Sequence, residues 1–298
     1  MSPSAARDGS RPPAREVDLE HQVASLGHAV DELGRLAQET QNRLQSVESE
    51  LRSLQARGVS VSSHDVDGWG PRFAAIYADF TEHFRGSPAE VKAKLEGYLP
   101  DVHRVVAGPG GVVDLGCGRG EWLALLRTEG VAARGVDANP AFVAVGRARG
   151  LDMELGDAVG YLQALPADSI DMVTAFHVIE HLAIEDLLAL LDAANGALRP
   201  GGCLLLETPN PTNLVMAACD FYNDPTHRSP LPPALTEYLV STQGFGDVEV
   251  RPLHPKTSPM RPTRDEGAGT PLHELVAQAL FGPQDYAVLG YKLPAEQR

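Results

Sequence analysis

The sequence predicts an α/β fold, a doubly wound parallel sheet, on three observations. From residue 111 onward, short apolar runs alternate with amphipathic stretches, the pattern of buried parallel strands joined by crossover helices. A turn holding Gly116, Gly118 and Gly120 stands between the first of those runs and the first helix. The last two strand-like segments, 245–251 and 286–292, are separated by a Pro-rich stretch and a short helix at 272–281. Without a conventional crossover helix, that final pair is expected to make an antiparallel edge.

The chain has 298 residues, room for one large domain and something extra at about 150 residues per domain. Hydrophobic residues are 43% and charged residues 22%, which suffices for a real core. All 17 aromatic residues lie at or after Trp69, so the first 68 residues cannot build an ordinary packed core. Residues 1–15, rich in Ser, Pro and Arg without periodicity, read as a disordered tail. Over 16–57 a heptad places Glu16, Val23, Val30, Ala37, Leu44 and Leu51 at a, and Leu19, Leu26, Leu33, Thr40, Val47 and Leu54 at d. That spacing predicts a left-handed coiled coil. Its helix has no core of its own, so it implies a homo-oligomer or a partner protein; folding back on the globular domain is the alternative. Residues 58–68 are a polar linker.

Two helical stretches follow within 69–104, expected to lid the domain behind them. The first carries Phe73, Ile76, Tyr77, Phe80 and Phe84 at helical spacing. The second opens at Ser87-Pro88-Ala89-Glu90, a capping box with Pro in the first turn. Strands are then expected at 111–115, 132–137, 170–176 and 202–207, with helices at 121–129, 140–149, 184–198 and 232–242.

Net charge is −15, of which −13 falls after residue 60. Nucleic acid is therefore disfavoured as a partner, since phosphate binding needs clustered Lys and Arg. Three widely spaced cysteines make no disulfide framework and no CxxC knuckle, which points to a reducing, cytoplasmic setting. No apolar run is long enough for a transmembrane helix, and residues 1–15 have no apolar leader core.

The chemistry concentrates in four segments. In Asp114-Leu115-Gly116-Cys117-Gly118-Arg119-Gly120-Glu121 the glycines let the backbone turn tightly and approach a ligand closely. Asp114, at the strand end, can accept from a cationic ligand's amino group. The third glycine comes one position too early for a dinucleotide fingerprint; a plain glycine-rich turn is the other reading. Asp137 closes the second strand about 20 residues on, where an acidic side chain can hold ribose hydroxyls. Asp157, after the third strand, can accept from an adenine amino group or simply cap the next helix.

DLGCGRGEW, GVDAN, GDA, DMVTAFHVIEHL and LRPGGCLLLETPNP, in that order, resemble the class I S-adenosylmethionine-dependent methyltransferases over about 105–295. The resemblance implies a Rossmann-like sheet of seven strands with the last antiparallel, and S-adenosyl-L-methionine as cofactor. It places Asp114 and the turn Gly116, Cys117, Gly118 and Gly120 at the methionine part. Asp137 and Ala138 fall at the ribose, Asp157 and Ala158 at the adenine, and Phe176 and His177 along the pocket wall. The segment FYNDPTHRSP, with ETPNP and the residues before the domain, further resembles methyltransferases linked to bacterial O-antigen and cell-surface polysaccharide synthesis. That implies a sugar hydroxyl or sugar phosphate of a glycan intermediate as acceptor; a small molecule such as a quinone precursor or natural product is the alternative. A non-catalytic cofactor-binding scaffold is a third.

A sugar hydroxyl needs a base as it attacks the sulfonium methyl. His181 and His177 are the first candidates and His227 the next; each can instead be structural. His177, Glu180 and His181 form an HxxEH cluster that His227 could complete as a divalent-metal site. Ubiquinone-pathway and small-RNA methyltransferases use a similar ExxEH segment, but His177 stands where those carry an acid, and a metal is not the favoured reading.

Overall fold

The computed structural model describes residues 76–77, 80–81, 83–84, 86–106, 108–258, 271–294 and 296, with the backbone alone at 271–273. The expected tail, coiled coil and linker lie outside these residues. After a helical stretch within 76–84, the elements run α1 (Pro88–Leu95), a 3-10 turn (Glu96–Tyr98), α2 (Leu99–Val105), β1 (Val112–Leu115), α3 (Glu121–Thr128), β2 (Ala133–Asp137) and α4 (Pro140–Ala148). They continue with β3 (Met153–Leu155), α5 (Ala158–Ala164), β4 (Ile170–Phe176), a 3-10 turn (Ile179–His181), α6 (Ile184–Ala197), β5 (Leu198–Pro209) and α7 (Leu214–Ala218). A third 3-10 turn (Asp220–Asn223), α8 (Pro233–Thr242), β6 (Phe245–Pro255), α9 (Pro271–Phe281) and β7 (Pro283–Lys292) complete the chain.

The strands make one seven-stranded sheet in the order β3-β2-β1-β4-β5-β7-β6. β1 to β5 are parallel, and β7 runs antiparallel to both β5 and β6. The final pair thus makes the expected antiparallel edge, with β7 inserted beside β5 and β6 outermost. β1 and β4 are buried along their whole length, as expected of central parallel strands covered on both faces.

On one face α6 packs Leu187, Leu190 and Leu191 against Val113, Val173 and Leu204. On the other, Trp122 and Leu126 of α3 join Val91, Leu95, Tyr98 and Val102 over Met172, Phe176 and Leu205. The α1–α2 segment is therefore part of that packed layer. The capping box forms: Glu90 Oε2 accepts from Ser87 N at 2.8 Å, and Ser87 Oγ accepts from Glu90 N at 3.3 Å. The helix it opens stops at Leu95 and continues through the 3-10 turn into α2, where Pro100 sits in the first turn.

Among the described residues no helix is long and apolar enough to cross a membrane. Cys117, Cys203 and Cys219 are buried and form no disulfide.

Asn213 ties the region after β5 together. Its Oδ1 caps α7 by accepting from Val215 N and Met216 N, at 3.0 and 3.1 Å. Its Nδ2 donates to the carbonyls of Leu280, in the last turn of α9, and Gly282, just past its end. Asn213→Ala is expected to cost about 2–3 kcal/mol, since it removes a cap and strands buried partners; a urea melt reads this as a lowered midpoint.

Candidate functional site

β1 delivers the chain to the glycine turn at the carboxyl end of the sheet, where open α/β sheets bind ligands. Gly116, Gly118 and Gly120 all take positive φ, at 60, 52 and 78°. A Cβ on Gly116 would lie 2.6 Å from Val178 Cγ2, so the turn touches the segment that carries the histidines. Asp137 fixes the turn from β2: its Oδ2 accepts from Gly118 N and its Oδ1 from Asn139 N, both at 2.7 Å. Asp114 is buried and accepts from Thr174 Oγ1 at 2.7 Å, across to β4. Cys117 is buried beneath the turn. Ala138 follows Asp137 in the same turn after β2. Asp157 is exposed and caps α5 by accepting from Gly160 N at 2.8 Å, and Ala158 is the first residue of that helix. Phe176 is buried, with Trp122 at 5.5 Å and Tyr98 at 5.4 Å between ring centroids.

At His177 the chain leaves β4 with φ of +56°, an uncommon conformation for a side-chain-bearing residue. Three carboxylates from separate elements surround its ring. Nδ1 lies 3.3 Å from Glu180 Oε1; Nε2 lies 3.3 Å from Glu207 Oε1 and 3.9 Å from Asp285 Oδ1. Each of the last two is held from behind: Tyr98 donates to Glu207 Oε2, and His254 Nδ1 meets Asp285 Oδ2 at 2.8 Å. Burial alone would lower the His177 pKa, but the contacts to Glu180 and Glu207 and the charge of Asp285 prevail and push it up to about 10. At neutral pH the ring is an imidazolium. An imidazolium has no lone pair to act as a base, so these contacts favour His227 and His181 over His177 for that role.

His181 and His227 differ. They pack edge to face with centroids 4.7 Å apart. His227 Nδ1 lies 2.6 Å from the Phe221 carbonyl, which can only accept, so Nδ1 carries the proton and Nε2 is the acceptor. Burial holds the His227 pKa below its ordinary value, with the charge of Glu180 opposing. His181 Nδ1 lies 2.8 Å from Thr226 Oγ1. Glu180, His181 and His227 each offer a ligand atom, all within 4.8 Å of one another. Glu180 is fully buried; its Oε2 accepts from Thr208 Oγ1 at 2.9 Å, while its Oε1 has no hydrogen bond. His227 Nε2 is 3.8 Å from that oxygen.

This is a donor set of one buried carboxylate oxygen and two imidazoles whose other nitrogens are already engaged, the usual wiring of metal-binding histidines. It fits a divalent cation through Glu180, His181 and His227, without His177. The structure brings the segments of His177–His181 and His227 together, and adds Glu207, Asp285 and Tyr98 around them. Glu207 lies inside the ETPNP motif and was legible there. Asp285 and Tyr98 sit in stretches without a chemical motif, and only the insertion of β7 beside β5 brings Asp285 in.

A profile of the methyltransferase-domain family matches residues 81–245. The crystal structure of a SAM-dependent methyltransferase from Archaeoglobus fulgidus superposes with a TM-score of 0.65 and 32% identity, covering 72% of this chain and 99% of that one. A ubiquinone biosynthesis O-methyltransferase of Xanthomonas campestris is 34% identical over 118 residues, 38% of this chain and 48% of that protein. Its counterpart in Xanthomonas oryzae is 32% identical over 111 residues. The chain spans about half the length of these curated relatives. It belongs to the methyltransferase-domain family, among the S-adenosylmethionine-dependent methyltransferases.

Proposed function

We propose that this methyltransferase-family chain transfers the methyl group of S-adenosylmethionine to a hydroxyl of a small hydroxylated aromatic acceptor, with His181 as the base. The observation that carries this is the contact between the two halves of the site. The Gly116 turn abuts Val178, so a cofactor seated on that turn places its methyl beside the segment bearing Glu180 and His181. In-line transfer needs the acceptor oxygen, methyl carbon and sulfur aligned and water excluded; the cofactor supplies the activated methyl. The acceptor hydroxyl is a poor nucleophile until its proton begins to leave, and a neutral imidazole is suited to take it.

The acceptor class rests on two supports. The relatives named as ubiquinone biosynthesis O-methyltransferases align over 36–38% of the chain. Beside His227, the buried Phe221 packs at 4.5 Å and backs the exposed ring of Tyr222 at 5.4 Å, and that exposed ring offers a face to an aromatic acceptor. A glycan hydroxyl, implied by the FYNDPTHRSP segment, is the competing acceptor. A labelled-methyl assay with 3,4-dihydroxybenzoate, lipid-linked glycans and nucleotide sugars decides between them. Transfer to the dihydroxybenzoate supports the proposal; transfer to the glycans alone overturns its acceptor class.

In a second reading the same three residues hold a divalent cation and His181 is a ligand rather than the base, because Glu180 Oε1, which also faces His177 Nδ1 at 3.3 Å, and His227 Nε2, 3.8 Å from that oxygen, are both acceptors. Held by Glu180, His181 and His227, such an ion would polarise an acceptor hydroxyl and lower its pKa. Calorimetric titration of chelator-treated protein with Mg²⁺ or Zn²⁺ is expected to show one site, weakened about 10–100-fold or more in His227→Ala. Absence of any heat that His227→Ala abolishes would remove the cation from the proposal.

A further inference from the structure

The loop after β5 carries a chain of hydrogen bonds that neither the cofactor site nor the base accounts for. Asp224 Oδ1 accepts from both the backbone N and the Oγ1 of Thr226, at 2.8 and 2.6 Å. Asp224 Oδ2 accepts from the Tyr77 hydroxyl at 2.8 Å. Thr226 Oγ1 then meets His181 Nδ1 at 2.8 Å.

The direction of this chain follows from counting protons. A threonine hydroxyl has one hydrogen to give. The Asp224 carboxylate takes it, because a charged acceptor at 2.6 Å outcompetes a neutral ring nitrogen. Thr226 Oγ1 can therefore only accept from His181, and Nδ1 must carry the ring proton. Nε2 is then the nitrogen that keeps its lone pair. Tyr77 keeps its proton, since burial and the charge of Asp224 both raise its pKa, so it remains a donor that pins the second carboxylate oxygen. Tyr77 comes from the helical stretch ahead of α1, about 150 residues away in sequence.

We propose that Asp224, Thr226 and Tyr77 are positioning residues that lock neutral His181 in the Nδ1–H tautomer, which leaves its Nε2 lone pair available to the reaction. The proposal rests on His181 acting in the methyltransferase site. It also explains why the loop carries the residues DPTH. Asp224 opens an Asx turn, Thr226 meets the carboxylate on one side and His181 on the other, and His227 enters the site. The lock serves His181 equally as a base or as a ligand, since both need the Nε2 lone pair. The wrong tautomer would present an N–H to the acceptor and halt either role.

The test needs no acceptor, so it stays separate from the substrate reading. The full chain is labelled with ¹⁵N-histidine, the His181 signals are assigned by their loss in His181→Asn, and spectra are recorded where the ring is neutral. In the wild type Nδ1 is expected to carry the proton and Nε2 to be bare. Thr226→Val removes the acceptor and Asp224→Ala frees the hydroxyl to donate to Nδ1, so both are expected to move the proton to Nε2. Tyr77→Phe is expected to give a mixture of tautomers, and Thr226→Ser to keep the wild-type pattern. Unchanged binding of S-adenosylmethionine in calorimetry shows that each variant is folded, and Thr226→Val and Asp224→Ala test the same link independently should one misfold. A wild-type ring protonated at Nε2, or one tautomer shared by the wild type, Thr226→Val and Asp224→Ala, overturns the lock; a wild-type spectrum in Tyr77→Phe overturns Tyr77's part in it.

Discussion

A Gly116→Val variant is expected to lose S-adenosylmethionine binding by about 100-fold or more in a calorimetric titration. Two costs coincide at this residue. Its φ of +60° is a region that a β-branched residue enters only with strain of about 1–3 kcal/mol. Its new Cβ would also fall 2.6 Å from Val178 Cγ2, and overpacking adds about 1–3 kcal/mol more. The turn can relieve both only by moving, and each 1.4 kcal/mol lost from binding is tenfold in Kd. The turn is exposed to this change because little else can yield. Gly118 N is tied to Asp137, Gly120 N donates to the Cys117 carbonyl at 2.9 Å, and Cys117 N donates to Val136 O at 3.2 Å. Circular dichroism separates the outcomes: a folded variant with wild-type affinity would place the cofactor elsewhere. Gly116→Ala meets the same clash with less bulk, so an intermediate loss is expected.

How far the sequence was legible depends on the range over which each feature is determined. The glycine turn, the Ser87–Glu90 box and the central strands are specified by residues within a few positions of one another, and the structure has them where periodicity and turn chemistry place them. Strand ends were less legible. β5 reaches from Leu198 to Pro209 and β7 from Pro283 to Lys292, both longer than the runs at 202–207 and 286–292 that announce them, because the ladder between them continues to Thr208 with Tyr286 and Pro209 with Asp285. The place of β7 was not legible either. A strand's direction can be inferred from its connection, but its neighbours are set by register, here Glu207 opposite Ala287 and Pro209 opposite Asp285. That pairing brings Asp285 Oδ1 within 3.9 Å of His177 Nε2, beside Glu207 Oε1 at 3.3 Å, and both favour the charged ring. A histidine next to one glutamate in sequence looks ready to titrate near neutrality. Carboxylates from β5, β7 and the 3-10 turn push the His177 pKa up to about 10, and no local pattern around residue 177 reports residue 285.

Glu180→Gln is expected to separate the two roles that meet at one oxygen. Glu180 Oε1 faces His177 Nδ1 at 3.3 Å on one side and His227 Nε2 at 3.8 Å on the other. Replacing the carboxylate keeps the volume and an acceptor for Thr208, but removes the charge that both neighbours share. On the active side, methyl transfer is expected to fall about 10²–10³-fold, the scale of a lost acid–base or electrostatic contribution, with cofactor affinity unchanged because Asp137 and the glycine turn are untouched. On the other side the consequence is a stability change with a definite sign. The folded pKa of His177, about 10, is raised above its ordinary 6.5. Its protonation thus contributes stability that is whole below about pH 6.5 and is lost as pH rises through about 10. Losing the Glu180 charge lowers the folded value, so in Glu180→Gln that decline is complete at a lower pH than in the wild type. Urea midpoints measured across this window give the comparison. Parallel wild-type and variant curves would mean that Glu207 and Asp285 hold the imidazolium without Glu180, whereas a variant with full transfer activity would remove Glu180 from the chemistry. Either result would localise the function of the carboxylate to one side, because the two sides are read by independent measurements on the same substitution.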